Sequence, residues 1–302
     1  MRDAAMSLWI FATLFAASVQ ALRFLLQKRL AVGGLSPVAA TFARFVYAPP
    51  AIALGLAVWM GVSGTALPAI GAEFWPFAVA GGVAQILATI CVVALFAYRN
   101  FAVGIAFSKV TVLLTVATGF IVLGETVTLL DLVAMGVGLV GVLILSVPAQ
   151  GGWQVLNRGS ALGLASGVFF SISAVGYRGA SLTVDSEAAL VRAAVTLCLV
   201  TLFQTAILAA WMLWRDRAGL VAVFRRWRAT SLVGATSMAG SMGWFTAYTL
   251  QTAAYVNAVG QVELVLSILI SWFVLGERQS RREIGGICLV SVSVIALILL
   301  RA

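Results

Sequence analysis

The sequence predicts an all-α integral membrane protein of ten transmembrane helices, arranged as two five-helix inverted-topology repeats. Three observations lead to this fold class. Of the 302 residues, 62% are hydrophobic and only 10% are charged, and the mean hydropathy is +1.09. Because soluble domains carry about 25% charged residues, this composition excludes an ordinary soluble domain. The other two observations are a series of long apolar runs and a similarity between the two halves of the chain.

The apolar runs define the predicted elements in order, because a membrane-spanning helix needs about 20 mostly apolar residues. Charge clusters and segments rich in Gly, Pro or Ser separate the spans 7–28, 37–60, 74–97, 102–123, 131–147, 160–179, 187–213, 230–250, 255–275 and 284–300. Only the connections 61–73, 148–159 and 214–229 are long enough to be called loops. None could hold a soluble catalytic domain, so any function must be built from the spans.

The basic residues predict how the spans are oriented. They are concentrated in the connections that follow the odd-numbered spans: Lys28, Arg29, Arg99, Arg158, Arg215, Arg217, Arg225, Arg226, Arg228, Arg278, Arg281 and Arg282. The opposite side has only Arg2, Arg178 and Arg301. The positive-inside rule therefore places the odd-numbered connections in the cytoplasm and both termini outside.

The net charge of +9 could indicate a nucleic-acid partner, but its distribution favours a membrane surface. The basic run 225–228 (RRWR) lies in a connection, where we expect it to rest on anionic lipid headgroups. We therefore predict membrane lipids as partners and no nucleic acid.

The residue types argue against a metal site, a cofactor or catalysis. The chain has no His, and its three cysteines all fall in apolar runs without CxxC spacing, so we predict no metal and no disulfide. The run 136–141 (GVGLVG) matches GxGxxG, but it lies inside the fifth span without a preceding strand. Close helix packing explains it better than a dinucleotide site.

The two halves of the chain are related by an offset of 152 positions. This offset aligns 122–125 (VLGE) with 274–277 (VLGE), at the ends of the fourth and ninth spans. It divides the chain into a first repeat at 1–147, a linker at 148–159 and a second repeat at 160–302. Because each half has an odd number of spans, the second half must enter the membrane in the opposite orientation, as in many secondary transporters.

These features together resemble a known family. The paired LGE endings, the segment 36–45 (SPVAATFARF), and Arg44 and Arg192 near the starts of the second and seventh spans resemble the drug/metabolite transporter superfamily. More narrowly, they are similar to its EamA-like exporters, including the YddG-type amino-acid exporters. The resemblance implies a secondary transporter, not an enzyme. It would export small metabolites, foremost amino acids, across a bacterial-type inner (plasma) membrane by alternating access.

Two ionisable residues stand out inside predicted spans: Glu263 near the middle of the ninth, and Lys109 about a third of the way along the fourth. A charge near the bilayer centre costs roughly 2.5–3.5 kcal/mol on insertion scales, so each is a candidate functional residue. They could bind the carboxylate and ammonium of a zwitterionic amino acid, and Glu263 could carry a proton. The alternative is an inert pair that neutralises two charges between the halves. Asn257 and Gln261 would lie beside them.

Other polar and aromatic residues are candidates for the walls of a central cavity. Gln20 in the first span and Gln85 in the third lie deep in apolar runs, although helix-to-helix hydrogen bonds without function are an alternative. The family resemblance implies that Tyr98, Trp244 and Tyr248 border the cavity, where their rings could gate it or stack on a substrate.

A last group of residues is predicted to serve gating or structure. Pro49 and Pro50 should bend the second span. We expect Arg44 and Arg192 to bind lipid headgroups or helix C-terminal carbonyls, with ion pairs to acids such as Glu125 or Glu187 as the alternative. The LGE endings complete this group: Gly124, Glu125, Gly276 and Glu277.

Other functions remain open at this stage. The same fold could export drugs, quaternary amines or nucleosides, and a passive channel or an intramembrane lipid-modifying enzyme are alternatives from other classes. An enzyme would need clustered nucleophiles or metal ligands, which the sequence lacks. Two fused halves make dimerisation unnecessary, so we predict a monomer that binds a small molecule.

Overall fold

The computed structural model describes residues 2–95, 109–146, 158–266 and 281–300, and these residues form an all-helical protein. The helices in this part of the chain are α1 Arg2–Val32, α2 Pro37–Phe45, α3 Ala48–Ser63, α4 Phe74–Leu95, α5 Thr111–Leu123, α6 Leu129–Ser146, α7 Arg158–Leu182, α8 Ala189–Arg215, α9 Arg217–Arg225, α10 Trp227–Leu250, α11 Ala253–Val259 and α12 Arg281–Leu299.

Several helices match the thickness of a membrane. Within the described ranges, five are long and apolar enough to cross one by length and composition: Leu8–Ala31, Pro37–Ser63, Phe74–Leu95, Ala161–Leu182 and Ala189–Arg215. Shorter apolar helices cover Thr111–Leu123, Leu129–Ile144, Ala253–Leu266 and Ile284–Leu299. The all-helical class predicted from the composition is therefore confirmed.

The second predicted span is interrupted at Val46 and Tyr47, where α2 ends and α3 begins. Pro49 and Pro50 follow in the first turn of α3. A proline costs little there, because the first backbone N–H groups of a helix have no intrahelical acceptor. The two prolines thus lie where the sequence predicts a bend, and the helix breaks just before them.

The prediction that 214–229 is a loop was wrong. α8 continues to Arg215, and α9 occupies Arg217–Arg225. The Asp216 side chain starts α9 by accepting a 2.8 Å hydrogen bond from the backbone N–H of Gly219. The several arginines of this segment suggested a loop, but they lie on a short helix with an N-cap.

The tightest packing occurs in three helix pairs: α4 with α7, α1 with α10, and α6 with α12. Each pair meets through small residues that let the backbones approach, as is common between membrane helices. A Cβ added to one glycine of each pair would lie within 2.9 Å of the facing helix: Gly176 against Gly81, Gly243 against Ala12, and Gly141 against Gly286. Gly141 ends the GVGLVG run, so helix packing accounts for that glycine.

Candidate functional site

The two charged residues predicted inside the membrane lie next to turns rather than in the middle of helices. Lys109 and Val110 form a turn directly before α5. Gly260 and Gln261 form a turn after α11, and helical structure resumes at 262–266 with Glu263 in its first turn. The offset of 152 positions aligns Lys109 with Gln261, so the two turns coincide in the two halves.

Lys109 and Glu263 form an ion pair in the interior. The Lys109 Nζ lies 3.4 Å from the Glu263 Oε2, and the exposed fractions of the two side chains are 15% and 6%. The same carboxylate oxygen accepts a 2.9 Å hydrogen bond from the Nε2 of Gln20 on α1. The site therefore joins three segments that are distant in sequence, and it includes three of the predicted residues.

Gln20 connects this ion pair to a second cation and to an aromatic ring. Its Oε1 accepts hydrogen bonds of 3.1 Å from the Arg23 Nη2 and from the Trp244 Nε1. The amide nitrogen of Gln20 donates to Glu263, and its amide oxygen accepts from Arg23 and Trp244, so exchanging the two atoms would break all three hydrogen bonds. The orientation of Gln20 is therefore set by its partners.

Arg23 lies near the end of the first predicted span, but its guanidinium points into the protein interior. The side chain is buried, with 2% exposed, and its Nη1 donates to the Gln27 Oε1 at 3.1 Å. Gln27 in turn donates to the backbone carbonyl of Ala40 on α2. Gln20, Arg23 and Gln27 form a stripe at i, i+3 and i+7 that faces the protein interior.

Two aromatic residues of α10 border the ion pair. Trp244 stacks on Tyr248 with a centroid distance of 5.9 Å. The Tyr248 hydroxyl donates to the Asn257 Oδ1 at 2.8 Å, and the Asn257 Nδ2 donates to the Thr115 Oγ1 at 2.9 Å. We call Lys109, Glu263, Gln20, Trp244, Tyr248 and Asn257 the central cluster. All six were predicted from the sequence as site residues.

Two buried polar atoms on residues close in sequence to the ion pair have no hydrogen-bond partner among the described residues. They are the Thr111 Oγ1, two residues after Lys109, and the Gln261 Oε1, two residues before Glu263. A buried polar atom without a partner costs about 1–3 kcal/mol. Gln261 was predicted as a site residue, and its free acceptor is the kind of group that a substrate donor could satisfy.

Arg44 lies in a second buried cluster, on α2. Its Nε donates to the Ser237 Oγ on α10 at 3.1 Å, and its Nη1 donates to the Thr89 Oγ1 on α4 at 2.7 Å. With its amide oxygen turned towards Arg44, Gln85 accepts from Nη1 and Nη2 at 2.9 and 2.8 Å. We call Arg44, Gln85, Thr89 and Ser237 the Arg44 cluster. Arg44 is only 4% exposed, so it does not bind lipid headgroups.

Another ion pair joins the two halves near the end of α5. Gly124 ends α5 with a left-handed φ of 67°, which favours glycine. The chain then turns so that the Glu125 Oε1 pairs with the Arg178 Nε on α7. Arg178 Nη1 also donates to the carbonyls of Tyr248 and Gln251 at 2.6 and 2.8 Å. Glu125 therefore pairs with Arg178, not with Arg44 or Arg192. We call Glu125 and Arg178 the outer ion pair.

Arg192 donates from Nε to the backbone carbonyl of Ser181 at 2.9 Å. Ser181 lies in the last turn of α7, so this is a helix C-terminal carbonyl of the kind expected. The remaining predicted site residues, Tyr98, Gly276 and Glu277, lie outside the described residues.

Sequence reasoning missed several residues of these clusters: Arg23, Thr89, Arg178 and Ser237. The i, i+3, i+7 spacing of Gln20, Arg23 and Gln27 is a signal in the sequence that could have found Arg23, because it puts Arg23 on the same helix face as Gln20. Thr89 and Ser237 carried no such signal, because single hydroxyls are frequent in apolar helices and their importance here comes from facing Arg44. Within the described ranges, no three His, Cys, Asp or Glu side chains are grouped as a metal site would require.

Comparison with known proteins supports a transporter fold. Residues 157–299 match the EamA-like transporter family, which confirms the similarity inferred from the motifs and indicates a membrane transporter of the drug/metabolite type. Twenty-seven chains of solved structures match this chain. One, described as the crystal structure of a protein, is 18% identical, with a TM-score of 0.71 over 99% of this chain and 98% of that chain. At this identity it shows the fold alone. No curated protein matches the chain.

Proposed function

We propose that this protein is a secondary transporter that exports small metabolites, foremost amino acids, across a bacterial-type inner membrane by alternating access. The observation that carries the proposal is the buried Lys109–Glu263 ion pair. It lies next to two turns, one directly before α5 and one between α11 and the helical residues 262–266. Discontinuous helices form the midplane binding sites of many transporters. A zwitterionic amino acid offers a carboxylate to Lys109 and an ammonium to Glu263.

The architecture that we propose is ten spans in two inverted five-helix repeats. The helix contacts support it, because they follow the symmetry that two repeats would have. If each span is replaced by the corresponding span of the other half, each of the closely packed helix pairs becomes another such pair or stays the same. The contact between α4 and α7 joins the third and sixth spans. Their counterparts in the other half are the eighth and first spans, which are α10 and α1 and are also closely packed. α6 with α12 joins the fifth and tenth spans, a pair that maps onto itself.

These contacts also bear on how alternating access would work. The three tightest helix pairs all join spans from different halves. Each moving unit would therefore combine helices from both halves, rather than coincide with one half of the sequence. The central cluster fits this arrangement, because Gln20 and Lys109 come from the first half while Glu263 and Trp244 come from the second.

The proposed orientation places both termini outside the cell. The first turn of α10 and the end of α9 then face the cytoplasm and carry the basic run 225–228. Arg225 and Trp227 are exposed there, which is consistent with contact to anionic headgroups and the interfacial zone. We propose a monomer in contact with membrane lipids and without a nucleic-acid partner.

Counterflow in proteoliposomes tests the proposal. The purified full chain is reconstituted in liposomes loaded with one unlabelled amino acid at a time, and the entry of the labelled amino acid is followed. We expect saturable, concentrative entry for a subset of amino acids, and a loss of at least about tenfold in Glu263→Gln, as removal of one charge-assisted interaction predicts. Glu73→Gln is the matched control, because Glu73 is an exposed acid before α4.

Two outcomes would contradict the proposal. Entry that never saturates and never becomes concentrative would indicate a passive channel. Turnover of lipid in the same vesicles, without amino-acid counterflow, would indicate an enzyme. A role of Glu263 in proton coupling is tested in the same vesicles, because the transport that remains in Glu263→Gln should not respond to an imposed pH gradient, whereas wild-type transport should.

A further inference from the structure

The buried charges around α10 do not balance. The interior holds the guanidinium groups of Arg23 and Arg44, which are 2% and 4% exposed, and the Lys109 ammonium. Glu263 is the acid that faces them: it pairs with Lys109 and also attracts Arg23. Arg23 and Arg44 repel each other electrostatically. Three cations therefore share one carboxylate in this part of the described structure.

Arg44 is the least compensated of the three cations. The side chains that bind it, those of Ser237, Thr89 and Gln85, are all neutral. Its guanidinium also lies 5.1 Å from the Phe45 ring centroid. Among the residues described by the structure, no carboxylate pairs with it. Neutral partners satisfy the hydrogen bonds of a guanidinium but leave its charge uncompensated, which is costly in the interior.

The other acids whose contacts the structure describes have partners different from Arg44. Glu125 pairs with Arg178 at the end of α5. The Asp131 carboxylate accepts hydrogen bonds from Thr128 and from the Tyr255 hydroxyl, at the start of α6. The remaining acids fall at the ends of predicted spans or in the connections between them: Asp3, Glu73, Asp185, Glu187, Asp216, Glu277 and Glu283. Within the described residues Arg44 thus has no carboxylate in contact, and the carboxylate of a bound molecule would supply the missing negative charge.

One face of α10 connects Arg44 to the central cluster. Ser237, Ser241, Trp244 and Tyr248 follow one another at i, i+4, i+7 and i+11, so they form a single stripe. Ser237 contacts Arg44, whereas Trp244 contacts Gln20 and Tyr248 contacts Asn257. The two clusters are thus about two helical turns, or roughly 10 Å, apart along one polar and aromatic surface.

From this arrangement we propose that the transported substrate is an anion, an acidic amino acid or a similar small carboxylate, and that Arg44 binds its carboxylate. The inference rests on the transport function proposed above and names the substrate class for the same site. A substrate with net negative charge compensates the excess of buried positive charge, whereas a zwitterion leaves this excess unchanged. Along α10, Ser237 and with it Arg44 lie closer than Trp244 to the first residue of the helix, Trp227, which is the cytoplasmic side in the proposed orientation.

The test compares L-glutamate with L-glutamine, which have nearly the same shape but differ in one negative charge. The full chain in liposomes is assayed for counterflow of each, and the thermal stability of the wild-type protein in detergent is measured with each added. We expect glutamate to be transported and to raise the melting temperature, and glutamine to do both much more weakly. Arg44→Gln should reduce glutamate transport by at least about tenfold, and Arg44→Lys by less.

Arg217→Gln is the matched control, because Arg217 is an exposed arginine that donates to the Leu213 carbonyl. It should transport glutamate like the wild type. If glutamine and glutamate are transported equally well, and Arg44→Gln lowers both equally, the anion assignment is wrong while the transporter proposal stands. If Arg44→Gln does not fold, the wild-type comparison of the two ligands decides alone: equal stabilisation rejects the inference. If glutamate, glutamine and all other amino acids fail to show saturable counterflow, the transporter proposal fails as well.

Discussion

Among the described residues, two partly buried ion pairs join the two halves of the chain, and their surroundings differ. In the Lys109–Glu263 pair the exposed fractions are 15% and 6%, and in the Arg178–Glu125 pair they are 14% and 13%. Arg178 also donates to two backbone carbonyls at the end of α10. Glu263 instead accepts from the side-chain amide of Gln20, which is itself held by side chains.

This difference indicates different roles for pairs of similar burial. Backbone carbonyls at a helix end move only with the helix, so the outer ion pair ties α5, α7 and the end of α10 together. Side-chain amides and rings can rotate, so the pair in the central cluster can exchange its partners for those of a substrate. The outer ion pair should therefore control stability and access, and the central pair should control transport.

The largest effect on stability is expected when the outer ion pair is broken. Arg178→Met leaves the Glu125 carboxylate without its cation and removes two donors from backbone carbonyls. Loss of one partner of a buried pair costs about 3–5 kcal/mol, so we expect a clear drop in the melting temperature. Thermal unfolding in detergent, followed by tryptophan fluorescence, measures it.

The double variant Arg178→Met with Glu125→Gln serves as its control. It should recover part of the stability, because no unpaired carboxylate remains. If Arg178→Met unfolded at the wild-type temperature, the outer ion pair would have no structural role, and the comparison of the two pairs would fail.

The second-largest effect is expected on transport, when the Lys109–Glu263 pair is broken. Lys109→Met should lower transport by at least about tenfold while lowering the melting temperature less than Arg178→Met does, because Gln20 still binds Glu263. Lys109→Arg keeps the charge and should retain part of the activity. The measurement is initial counterflow rate, normalised to protein in the vesicles, beside the melting temperature. A loss of transport that merely follows a loss of folded protein would contradict the separate roles.

A smaller effect is expected where the ring of Trp244 packs against the turn before Glu263. A Cβ at Gly260 would lie 2.4 Å from the Trp244 Cη2, so Gly260→Ala must displace the ring that donates to Gln20. Overpacking of this kind costs about 1–3 kcal/mol, and we expect weaker substrate binding as well. Gly55→Ala on α3 meets no atom within 4 Å and should be neutral or slightly stabilising. Equal effects of the two substitutions would contradict the packing argument.

The smallest effect is expected at the edge of the central cluster. Thr115→Val keeps the shape of the side chain but removes the acceptor for the Asn257 Nδ2. Hydrogen bonds between membrane helices average about 0.6 kcal/mol, so substrate affinity should fall by about threefold. Thr236→Val is the control, because Thr236 is partly exposed and its hydroxyl bonds carbonyls of its own helix. An affinity loss above tenfold would mean that Thr115 itself contacts the substrate.

The sequence was informative about site residues where a charged side chain interrupts an apolar run. Lys109 and Glu263 were identifiable as a pair because each interrupts an apolar run and the 152-residue offset brings both to the same depth. The interior position of Arg44 was not predictable, because it depends on α4 and α10 supplying Thr89 and Ser237 from distant parts of the chain. Because Arg44 is close to the start of its predicted span, the sequence suggested contact with lipid headgroups instead.

The helix α9 shows a second reason for failure. Charge density indicated a loop at 214–229, but charge does not distinguish a loop from a short surface helix. The local signal was present in Asp216, since an Asp directly before a helical segment is a common N-cap. The bend at Pro49 and Pro50, by contrast, follows from the covalent structure of proline alone, and local sequence was sufficient to place it.

The stripe on α10 has a consequence for movement. Ser237 and Ser241 are one helical turn apart, as are Trp244 and Tyr248. A translation of α10 by one turn would bring Ser241 opposite Arg44 and Tyr248 opposite Gln20, so a hydroxyl would still face the guanidinium and a ring donor would still face the amide. A register shifted by one turn would thus keep equivalent polar contacts, as in elements that ratchet between discrete states. It would also place Ala247 where Gly243 now approaches Ala12 without room for a Cβ, so α10 would have to separate from α1 during the shift. Cysteine crosslinks from position 20 to 244 and to 248 would report which register is occupied, and failure of the second crosslink under every condition would exclude the ratchet.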